Sequence, residues 1–335
     1  MAKSLMMLVN PAAGRSMSDL NLGTAVSTFA LNGYCPTVFY TTAPGTASKI
    51  VEENAANYER LVCLGGDGTL SDTIAGLMTL PQEKRPKLGY IPMGTANDVA
   101  NTLGLPMRQP GRAAEMILAG TPLHYDVGEM DGVGFFTYIA AFGAFTEVSY
   151  KTDQELKRTL GHLAYVLGGL NALSTIKSYK AVIEHENGVV EGEFIYGAMS
   201  NSLSVAGMVR LNDDLVDLSD GKFEILLVRR PKDVMEVNSI LTGVLNKTYD
   251  SPCLTVAQSS FVKVTFEEPV PWTRDGEDGG AHRTLTLLNF LHNNFLQISN
   301  LFLQSPFSAF IMRSYESYFL RLANFAVLRE VHPSE

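Results

Sequence analysis

Short apolar runs alternate with amphipathic stretches through the first 125 residues of the chain. Each run has the length of a buried strand and precedes a turn and a helical pattern; the runs are Leu5–Val9, Thr37–Thr41, Arg60–Leu64 and Leu88–Ile91. This alternation predicts a parallel sheet with crossover helices. Sheets of this kind bind ligands in the loops that follow their strands. Those loops are Asn10–Arg15, Thr42–Thr46, Gly65–Thr69 and Pro92–Asp98.

Beyond about residue 125 the pattern changes to period-two alternation with turn residues between the runs. Two such runs, Lys180–Glu184 and Val189–Ile195, flank the sequence Glu-Asn-Gly at 186–188, which is a strong hairpin signal. Phe223–Val228 and Phe261–Phe266 are further strand-like runs. We therefore predict an α/β protein in which a parallel-sheet domain precedes a mostly antiparallel β-sandwich domain.

The predicted domains are residues 1–124 and 125–292, followed by a C-terminal segment at 293–335. One helical stretch near Leu156–Leu173 interrupts the second domain. Seven of the 17 Phe residues fall in the last 51 positions, where charges are few. We interpret this segment as helical, packing back on the first domain, with a membrane-facing surface as the alternative.

Composition and charge narrow the class of protein. Of the 335 residues, 46% are hydrophobic and 18% charged, which excludes intrinsic disorder. A formal net charge of −9 argues against nucleic-acid binding, so local groups must meet any polyanionic ligand. The three cysteines form no CxxC pair, which argues against a disulfide framework or a zinc site. No signal peptide or membrane-spanning run is recognisable, so we expect a soluble cytoplasmic protein.

The loop Gly65–Thr69 has the sequence Gly-Gly-Asp-Gly-Thr and directly follows an apolar run. Glycines let the backbone approach a phosphate closely, and the N–H groups at the start of a following helix attract anions. This loop therefore predicts phosphate binding. The dinucleotide fingerprint is broken, because Ser71 stands where its third glycine would be, and no Walker A sequence occurs. Taken alone, the motif fits an ordinary strand-to-helix turn equally well.

The first, third and fourth loops of the predicted sheet carry side-chain groups that suit phosphates. These groups are the guanidinium of Arg15, the hydroxyls of Thr69 and Thr95, and the carboxylates of Asp67 and Asp98. Arginine pairs bidentately with phosphate oxygens, and paired carboxylates hold water or a divalent cation between phosphates. A helix cap at Asn97–Asp98 and a solvated surface charge at Arg15 are the plainer interpretations.

Together these motifs resemble the diacylglycerol kinase catalytic-domain family, especially its soluble bacterial lipid kinases. The matching elements span about residues 5–295 and are NPAAGR at 10–15, GGDGT at 65–69, PMGTAND at 92–98, Asp-Gly at 220–221 and Asp-Gly-Glu at 275–277. GGDGT also occurs in NAD kinases and phosphofructokinase-like enzymes. The Pro-x-Gly-Thr-x-Asn-Asp motif is more particular to the lipid kinases.

The resemblance implies a nucleotide-binding first domain of the NAD kinase and diacylglycerol kinase type, with ATP on its loops and the lipid headgroup between the lobes. The implied nucleotide contacts are Asn10, Pro11, Ala12, Ala13, Gly14, Thr41, Gly66, Asp67, Gly68, Thr69, Leu70, Ser71, Asp72 and Thr95. The implied proton acceptor is Glu277, with Asp67 and Asp98 as further catalytic acids. Phosphoryl transfer needs such a carboxylate near the acceptor hydroxyl. Without the resemblance, Glu277 would be interpreted as an exposed hairpin tip.

The densest acidic segment is residues 212–221. Its spacing excludes an EF-hand, because Val216 and Leu218 stand where ligands would be required. The resemblance instead implies a structural Mg²⁺ on Asp217, Asp220 and the backbone carbonyl of Lys222. A solvated acidic loop is the alternative interpretation.

The chain departs from the family pattern at two places. Ser71-Asp72 stands where the family usually has Asn-Glu, which shortens the acidic side chain beside the phosphate loop. Leu215-Val216-Asp217 replaces the usual Pro-x-Ala ahead of the Asp-Gly pair, close to the implied metal ligands.

The resemblance implies an ATP- and Mg²⁺-dependent kinase that converts diacylglycerol to phosphatidic acid. A kinase of another lipid alcohol, of NAD or of a sugar phosphate, and a catalytically silent lipid- or nucleotide-binding module, are the alternatives. A diacylglycerol-like substrate requires peripheral membrane contact, for which Lys157 and Arg158 are candidates. The sequence leaves the oligomeric state open, a homodimer included.

Overall fold

The computed structural model describes residues 2–13, 19–144, 177–201, 204–205, 209–210, 217–245, 248–289 and 296–300. The predicted helix near Leu156–Leu173, the basic pair Lys157 and Arg158, and the tail after residue 300 lie outside these described residues. The described chain forms two lobes, each built on its own sheet.

The first lobe contains a six-stranded sheet in the order β2-β1-β3-β4-β17-β5, counted over the described residues. Its strands are β1 (Lys3–Val9), β2 (Tyr34–Tyr40), β3 (Arg60–Gly65), β4 (Lys87–Pro92), β5 (Thr121–Tyr125) and β17 (Leu296–Asn300). Its helices are α1 (Asp19–Leu31), α2 (Thr46–Asn54), α3 (Asp67–Met78), α4 (Asp98–Thr102) and α5 (Pro110–Ala119). The first four strands are parallel, as predicted.

The alternation along β1 shows why this sheet is covered on both faces. Leu5, Met7 and Val9 belong to the hydrophobic core that α1 and α5 complete, whereas Met6 and Leu8 belong to the core formed with α2 and α3. All five side chains are fully buried. A parallel sheet buried on both faces leaves the loops at its strand ends as the place where polar chemistry meets solvent.

The second lobe is a mostly antiparallel β domain with a nine-stranded sheet over the described residues. Its strands are β6 (Gly128–Met130), β7 (Gly134–Phe136), β8 (Ile139–Gly143), β9 (Tyr179–His185), β10 (Gly188–Ser200), β13 (Phe223–Arg229), β14 (Leu254–Ser259), β15 (Phe261–Arg274) and β16 (Glu277–Asn289). β11 (Ser204–Val205) and β12 (Val209–Arg210) form a separate pair, and α6 (Val234–Leu245) links β13 to β14. The predicted hairpin at 186–188 joins β9 to β10.

One continuous hydrophobic cluster joins the two lobes. Leu70 and Ile74 of α3 belong to the same cluster as Ile139 and Ala141 of β8 in the second lobe. The opposite face of the second sheet has its own aromatic core, in which Phe142 contacts Phe266 and Trp272. The shared cluster holds α3 against the second lobe, which matters because α3 begins at the glycine-rich loop.

The chain returns to the first lobe through β17, which differs from the helical segment predicted for 293–335. Residues 296–300 form a strand that pairs with β4 in parallel and with β5 antiparallel. Their sequence, Leu-Gln-Ile-Ser-Asn, alternates apolar and polar residues, which suits a strand better than a helix. The high Phe content of residues 293–335 favoured a helical interpretation, so this short period-two pattern was not recognised. Within the described residues, no helix has the length and hydropathy to cross a membrane.

Candidate active site

A cleft of about 440 Å³ opens where the strand ends of the first lobe meet the second lobe. Its lining combines short side chains and backbone from several loops with one carboxylate from the second lobe. The lining residues are Asn10, Pro11, Ala12, Ala13, Thr41, Thr42, Ala43, Pro44, Ala47, Gly66, Gly68, Thr69, Asp72, Gly94 and Glu277. The predicted loops therefore converge on one site.

Two glycines bring separate loops into backbone contact. A Cβ atom on Gly94 would lie 2.6 Å from the Cα atom of Gly66, which is closer than real Cβ atoms approach. Only glycine at position 94 permits this packing. Gly66 immediately precedes α3. The small residues around it, Gly66, Gly68 and Gly94, are here called the phosphate cradle, and they lie next to the N–H groups at the helix start.

Asn97 organises the fourth loop instead of capping α4. Its Oδ1 atom accepts a hydrogen bond from the Gly94 N–H at 3.0 Å, and its Nδ2 group donates to the Gly94 carbonyl at 2.9 Å. The buried Tyr90 hydroxyl donates to the same Oδ1 atom at 3.2 Å. Asn97 lies at the N-cap position with φ 53° and makes no side-chain cap hydrogen bond. Asn97 therefore occupies the helix-cap position of the plainer interpretation, but its side chain serves the loop and not the helix.

Asn10 connects the first and third loops. Its Nδ2 group donates to Oγ1 of Thr69 at 2.8 Å, and its Oδ1 atom accepts from the Ala12 N–H at 2.9 Å. One side chain thereby shapes its own loop and fixes the threonine of the glycine-rich loop. The Ala12 and Ala13 positions carry no bulky group, so the backbone of this loop stays accessible to a ligand.

Asp67 and Asp98 lie together at the helix starts on this side of the cleft. The Asp98 N–H donates to Oδ2 of Asp67 at 3.1 Å, while the buried Oδ1 atom of Asp67 has no hydrogen-bond partner among the described residues. Burial, followed by repulsion from Asp98, raises the pKa of Asp67 from 3.8 to about 6. A divalent cation beside these acids would supply the missing partner and favour the ionised form, so the pair fits a Mg²⁺ site.

Glu277 reaches the same cleft from the second lobe. It is the first residue of β16, directly after the two-residue turn that joins β15 to β16. Asp275 and Gly276 have φ angles of 49° and 81°, and the strand residues Arg274 and Glu277 pair across the turn. Positive φ at both central positions is typical of a type I′ hairpin, for which Asp-Gly is a preferred sequence.

The Glu277 carboxylate lies over the start of α3. Its Oε1 atom would be 3.2 Å from a Cβ atom placed on Gly68, and Glu277 remains solvent-exposed. It is thus both a hairpin tip, as its sequence context indicates, and part of the cleft, as the family resemblance implies. An accessible carboxylate next to a phosphate-type loop can accept a proton from a bound hydroxyl group.

Asp72 connects the cleft to the second loop. Its Oδ2 atom accepts a hydrogen bond from the Gly45 N–H at 2.9 Å. Gly45 ends the loop that contributes Thr42, Ala43 and Pro44 to the cleft. The shorter acid at this departure from the family pattern therefore holds the side wall of the cleft in place.

The predicted nucleotide residues divide into three groups. Those that line the cleft are Asn10, Pro11, Ala12, Ala13, Thr41, Gly66, Gly68, Thr69 and Asp72. Those outside the lining are Asp67, Leu70, Ser71 and Thr95; Leu70 is fully buried in the core and Thr95 is exposed. Gly14 and Arg15 lie outside the described residues.

The sequence interpretation missed five lining residues. They are Thr42, Ala43, Pro44, Ala47 and Gly94. The first three belong to a loop that its preceding strand had located. Ala43 and Pro44 carry small apolar side chains, and the hydroxyl of Thr42 belongs to no recognised motif. Gly94 lay inside the PMGTAND motif, where its contact with Gly66 is a tertiary feature.

A second acidic group surrounds the turn at residues 217–222. Asp217 Oδ1 accepts from the Ser219 N–H at 3.0 Å, and Asp220 Oδ1 accepts from the Lys222 N–H at 2.9 Å. Asp126, which the sequence interpretation missed, accepts from the Gly221 N–H at 2.7 Å. Burial, with smaller contributions from Asp220 and Asp217, raises the pKa of Asp126 from 3.8 to about 7.

Metal binding by Asp217, Asp220 and the Lys222 carbonyl stays a prediction. Both aspartates accept hydrogen bonds within the turn through one oxygen. Over the residues that the structure describes, no three His, Cys, Asp or Glu side chains assemble as a metal site. Asp126 lies immediately after β5, at the boundary of the lobes. An aspartate directly after a strand is the sequence signal from which it could have been found.

Known proteins with similar sequences define the class of the molecule. The family model of the diacylglycerol kinase catalytic domain matches residues 4–130. The diacylglycerol kinase of Staphylococcus carnosus (strain TM300) is 31% identical over 284 residues, which cover 84% of this chain and 90% of the relative. The diacylglycerol kinase of Bacillus subtilis (strain 168) is 29% identical over 279 residues, covering 83% of this chain and 91% of the relative. These relatives support a kinase of the lipid-kinase class.

The chain belongs to the diacylglycerol kinase family, as its motifs predicted. Solved structures agree on the fold. A diacylglycerol kinase from Bacillus anthracis str. Sterne superposes with a TM-score of 0.66 at 22% identity, covering 91% of this chain and 98% of that one. A second structure from the same strain gives a TM-score of 0.71 at 24% identity, with 91% and 99% covered. The predicted α/β fold class is confirmed.

Proposed function

We propose that this protein is an ATP-dependent kinase that phosphorylates the hydroxyl group of diacylglycerol and yields phosphatidic acid. The observation that carries the proposal is the position of Glu277, whose carboxylate lies over Gly68 in the cleft formed by the glycine-rich loops. A phosphate cradle and a proton acceptor thus face each other across one site. The family relatives support lipid as the acceptor class.

The first lobe would bind the nucleotide mainly through backbone and small polar groups. N–H groups before and at the start of α3 would face the phosphates, and Gly66 and Gly94 would leave room for them. Asn10 and Thr69, already joined by a hydrogen bond, set the shape of the cradle. Because these groups are positioned before binding, they lose little freedom when the phosphates arrive.

Asp67 and Asp98 would hold Mg²⁺ beside the phosphates. The observation that fits a cation there is the buried Asp67 Oδ1 atom, which has no hydrogen-bond partner in the part of the chain that the structure describes. When bound, the metal ion supplies neutralisation of the charge that develops on the transferred phosphoryl group. Asp217, Asp220 and the carbonyl of Lys222 remain proposed ligands of a second, structural Mg²⁺.

Glu277 would act as the general base. Its Oε1 atom takes the proton of the acceptor hydroxyl while that oxygen forms a bond to the γ-phosphorus and the bond from the γ-phosphorus to the bridging oxygen breaks. ADP leaves with the electron pair of that bond. The exposed carboxylate at the hairpin tip permits the acceptor to enter from the side opposite α3. Since diacylglycerol resides in membranes, the reaction requires contact with a lipid surface.

A substrate panel tests this proposal. Purified protein is incubated with ATP labelled in the γ-phosphate, Mg²⁺, and either diacylglycerol in mixed micelles, NAD, or a soluble sugar phosphate. We expect label to appear in phosphatidic acid and in neither soluble acceptor. Transfer to NAD without detergent, or ATP binding without transfer to any acceptor, would reject the proposal in favour of a soluble-substrate kinase or a silent binding module.

A further inference from the structure

The hairpin turn that precedes Glu277 is fixed by the buried and hydrogen-bonded carboxylate of Asp275. Asp275 is 5% exposed, and within the described structure its Oδ2 atom accepts hydrogen bonds from the Thr137 N–H and Oγ1 at 2.7 Å each. Its Oδ1 atom accepts from the N–H groups of Tyr138 and Ile139 at 2.9 and 3.1 Å. The Asp275 N–H in turn donates to the Ile139 carbonyl at 2.8 Å. The turn is therefore fastened to the start of β8.

A further donor to Asp275 comes from the first lobe. The Ser71 hydroxyl donates to Asp275 Oδ2 at 2.8 Å, across a separation of 204 residues in the chain. Ser71 lies in α3, three residues after Gly68, so both residues occupy the same face of the helix. Along that face Gly68 meets Glu277 and Ser71 meets Asp275.

We infer that Ser71 is a positioning residue, whose hydroxyl fixes the hairpin carrying Glu277 against the helix that begins at the phosphate loop. The inference rests on the proposed role of Glu277 as the base. Ser71 lies outside the cleft lining, so its side chain acts through Asp275 and not on the nucleotide. The Ser71 hydroxyl sets the distance between the Glu277 carboxylate and the phosphate-binding loops. These two parts of the site come from different lobes.

Charge and geometry favour this role over a purely structural one. A hydroxyl-to-carboxylate hydrogen bond is stronger than a neutral one and is sensitive to direction. Hydrophobic contacts of the shared cluster already hold the lobes together, among them Leu70 and Ile74 next to Ser71. Loss of the hydroxyl therefore leaves the lobes packed but lets the hairpin tip shift. A shift of a catalytic group costs rate even when folding is intact.

The test compares Ser71→Ala with Ser71→Thr, which keeps the hydroxyl, and with Ser27→Ala as a matched control on the exposed face of α1. We expect Ser71→Ala to lower kcat by about tenfold while KM for ATP changes by less than about twofold. Ser71→Thr should restore most of kcat, and Ser27→Ala should resemble the wild type. An unchanged kcat in Ser71→Ala, or an equal loss in Ser71→Thr, would overturn the inference.

Amide hydrogen exchange gives a second readout that needs no lipid substrate. We expect exchange at residues 275–277 to be faster in Ser71→Ala by about threefold and unchanged in Ser71→Thr, with the cores of both lobes still protected. Asp275→Asn should also expose the amides of residues 137–139; if that variant does not fold, the Ser71 pair still decides. Unchanged exchange at residues 275–277 would reject the inference that the Ser71 hydroxyl fixes this hairpin. A wild type that phosphorylates no lipid rejects the proposed function, and the exchange result then stands separately.

Discussion

The two sides of the cleft are built on different principles. The first-lobe side consists of loops whose backbone and small side chains form the cleft surface. Gly66 and Gly94 are in contact there, and Asn10 fixes Thr69 through a hydrogen bond. The second-lobe side contributes one carboxylate, Glu277, at the tip of a hairpin. A cradle built from backbone tolerates no added atoms, whereas a single carboxylate tolerates replacement by an isosteric group without loss of structure. Damage to the two sides should therefore have different kinetic signatures.

Gly94→Ala gives the largest expected effect on the first-lobe side. The new Cβ atom would lie 2.6 Å from the Gly66 Cα atom, so one of the two loops must move away. Because backbone cannot rotate aside as a flexible side chain can, we expect ATP binding to fall below detection in calorimetric titration.

Gly23→Ala is the matched control for that substitution. Gly23 lies in α1, and a Cβ atom there meets no atom of the described residues within 4 Å. The same chemical change should raise the free energy of unfolding by about 0.5–1 kcal/mol, because alanine restricts the unfolded chain more than glycine does. Normal ATP binding in Gly94→Ala would mean that the loop contact does not shape the cradle.

Asp67→Asn separates catalysis from stability on the same side. We expect kcat to fall on the order of 100-fold, since the metal-binding charge is lost. The free energy of unfolding, in contrast, should be higher in Asp67→Asn than in the wild type at neutral pH. The pKa of Asp67 is raised from 3.8 to about 6, so the folded protein binds more protons than the unfolded chain between these values. The contribution of Asp67 to stability is therefore greatest below about pH 4 and is lost as the pH rises to about 6.

Urea unfolding in the absence of metal measures this effect. The difference in unfolding free energy between Asp67→Asn and the wild type should increase in favour of the variant as the pH rises from 4 to 7, because the asparagine carries no charge to bury. A pH-independent difference would show that Asp67 ionises normally in the folded protein.

Asp72→Ala gives the smallest expected effect. Removal of the carboxylate frees the Gly45 N–H and loosens the loop that lines one wall of the cleft. We expect KM for ATP to rise by about threefold with kcat nearly unchanged, since loop ordering affects binding of nucleotide in ground and transition states alike. Asp72→Asn keeps an acceptor oxygen and serves as the control. A loss of kcat at constant KM would place Asp72 in the reaction itself.

The same contrast explains what the sequence could predict. The loops of the first lobe follow strands in a simple alternation, so their convergence at one sheet edge could be derived from apolar patterning and glycine content. Gly66 and Thr69 were recognised from this pattern, and Asn10 was assigned through the family resemblance. Thr42, Ala43 and Pro44 were not recognised, because they belong to no recognised motif and two of them carry small apolar side chains.

The second-lobe contribution depends on contacts that no local pattern contains. Glu277 was assigned only through the family resemblance, since its own context indicated an exposed turn. Ser71 was assigned to the nucleotide through the same resemblance, yet its hydroxyl donates a hydrogen bond to Asp275, 204 residues away. β17 was missed because its period-two pattern is only a few residues long and lies in a Phe-rich segment, and its place in the first sheet is specified by its partners β4 and β5.

The most direct test of the account measures ATP binding and phosphoryl transfer in the same Glu277→Gln preparation. Asp278→Asn, one residue further along the exposed strand, is the control. We predict that Glu277→Gln binds ATP with wild-type affinity and transfers phosphate to diacylglycerol about 10²–10⁴ times more slowly, as expected for loss of a general base. Transfer at the wild-type rate would contradict the assignment of Glu277, and with it the claim that the two lobes assemble one catalytic site.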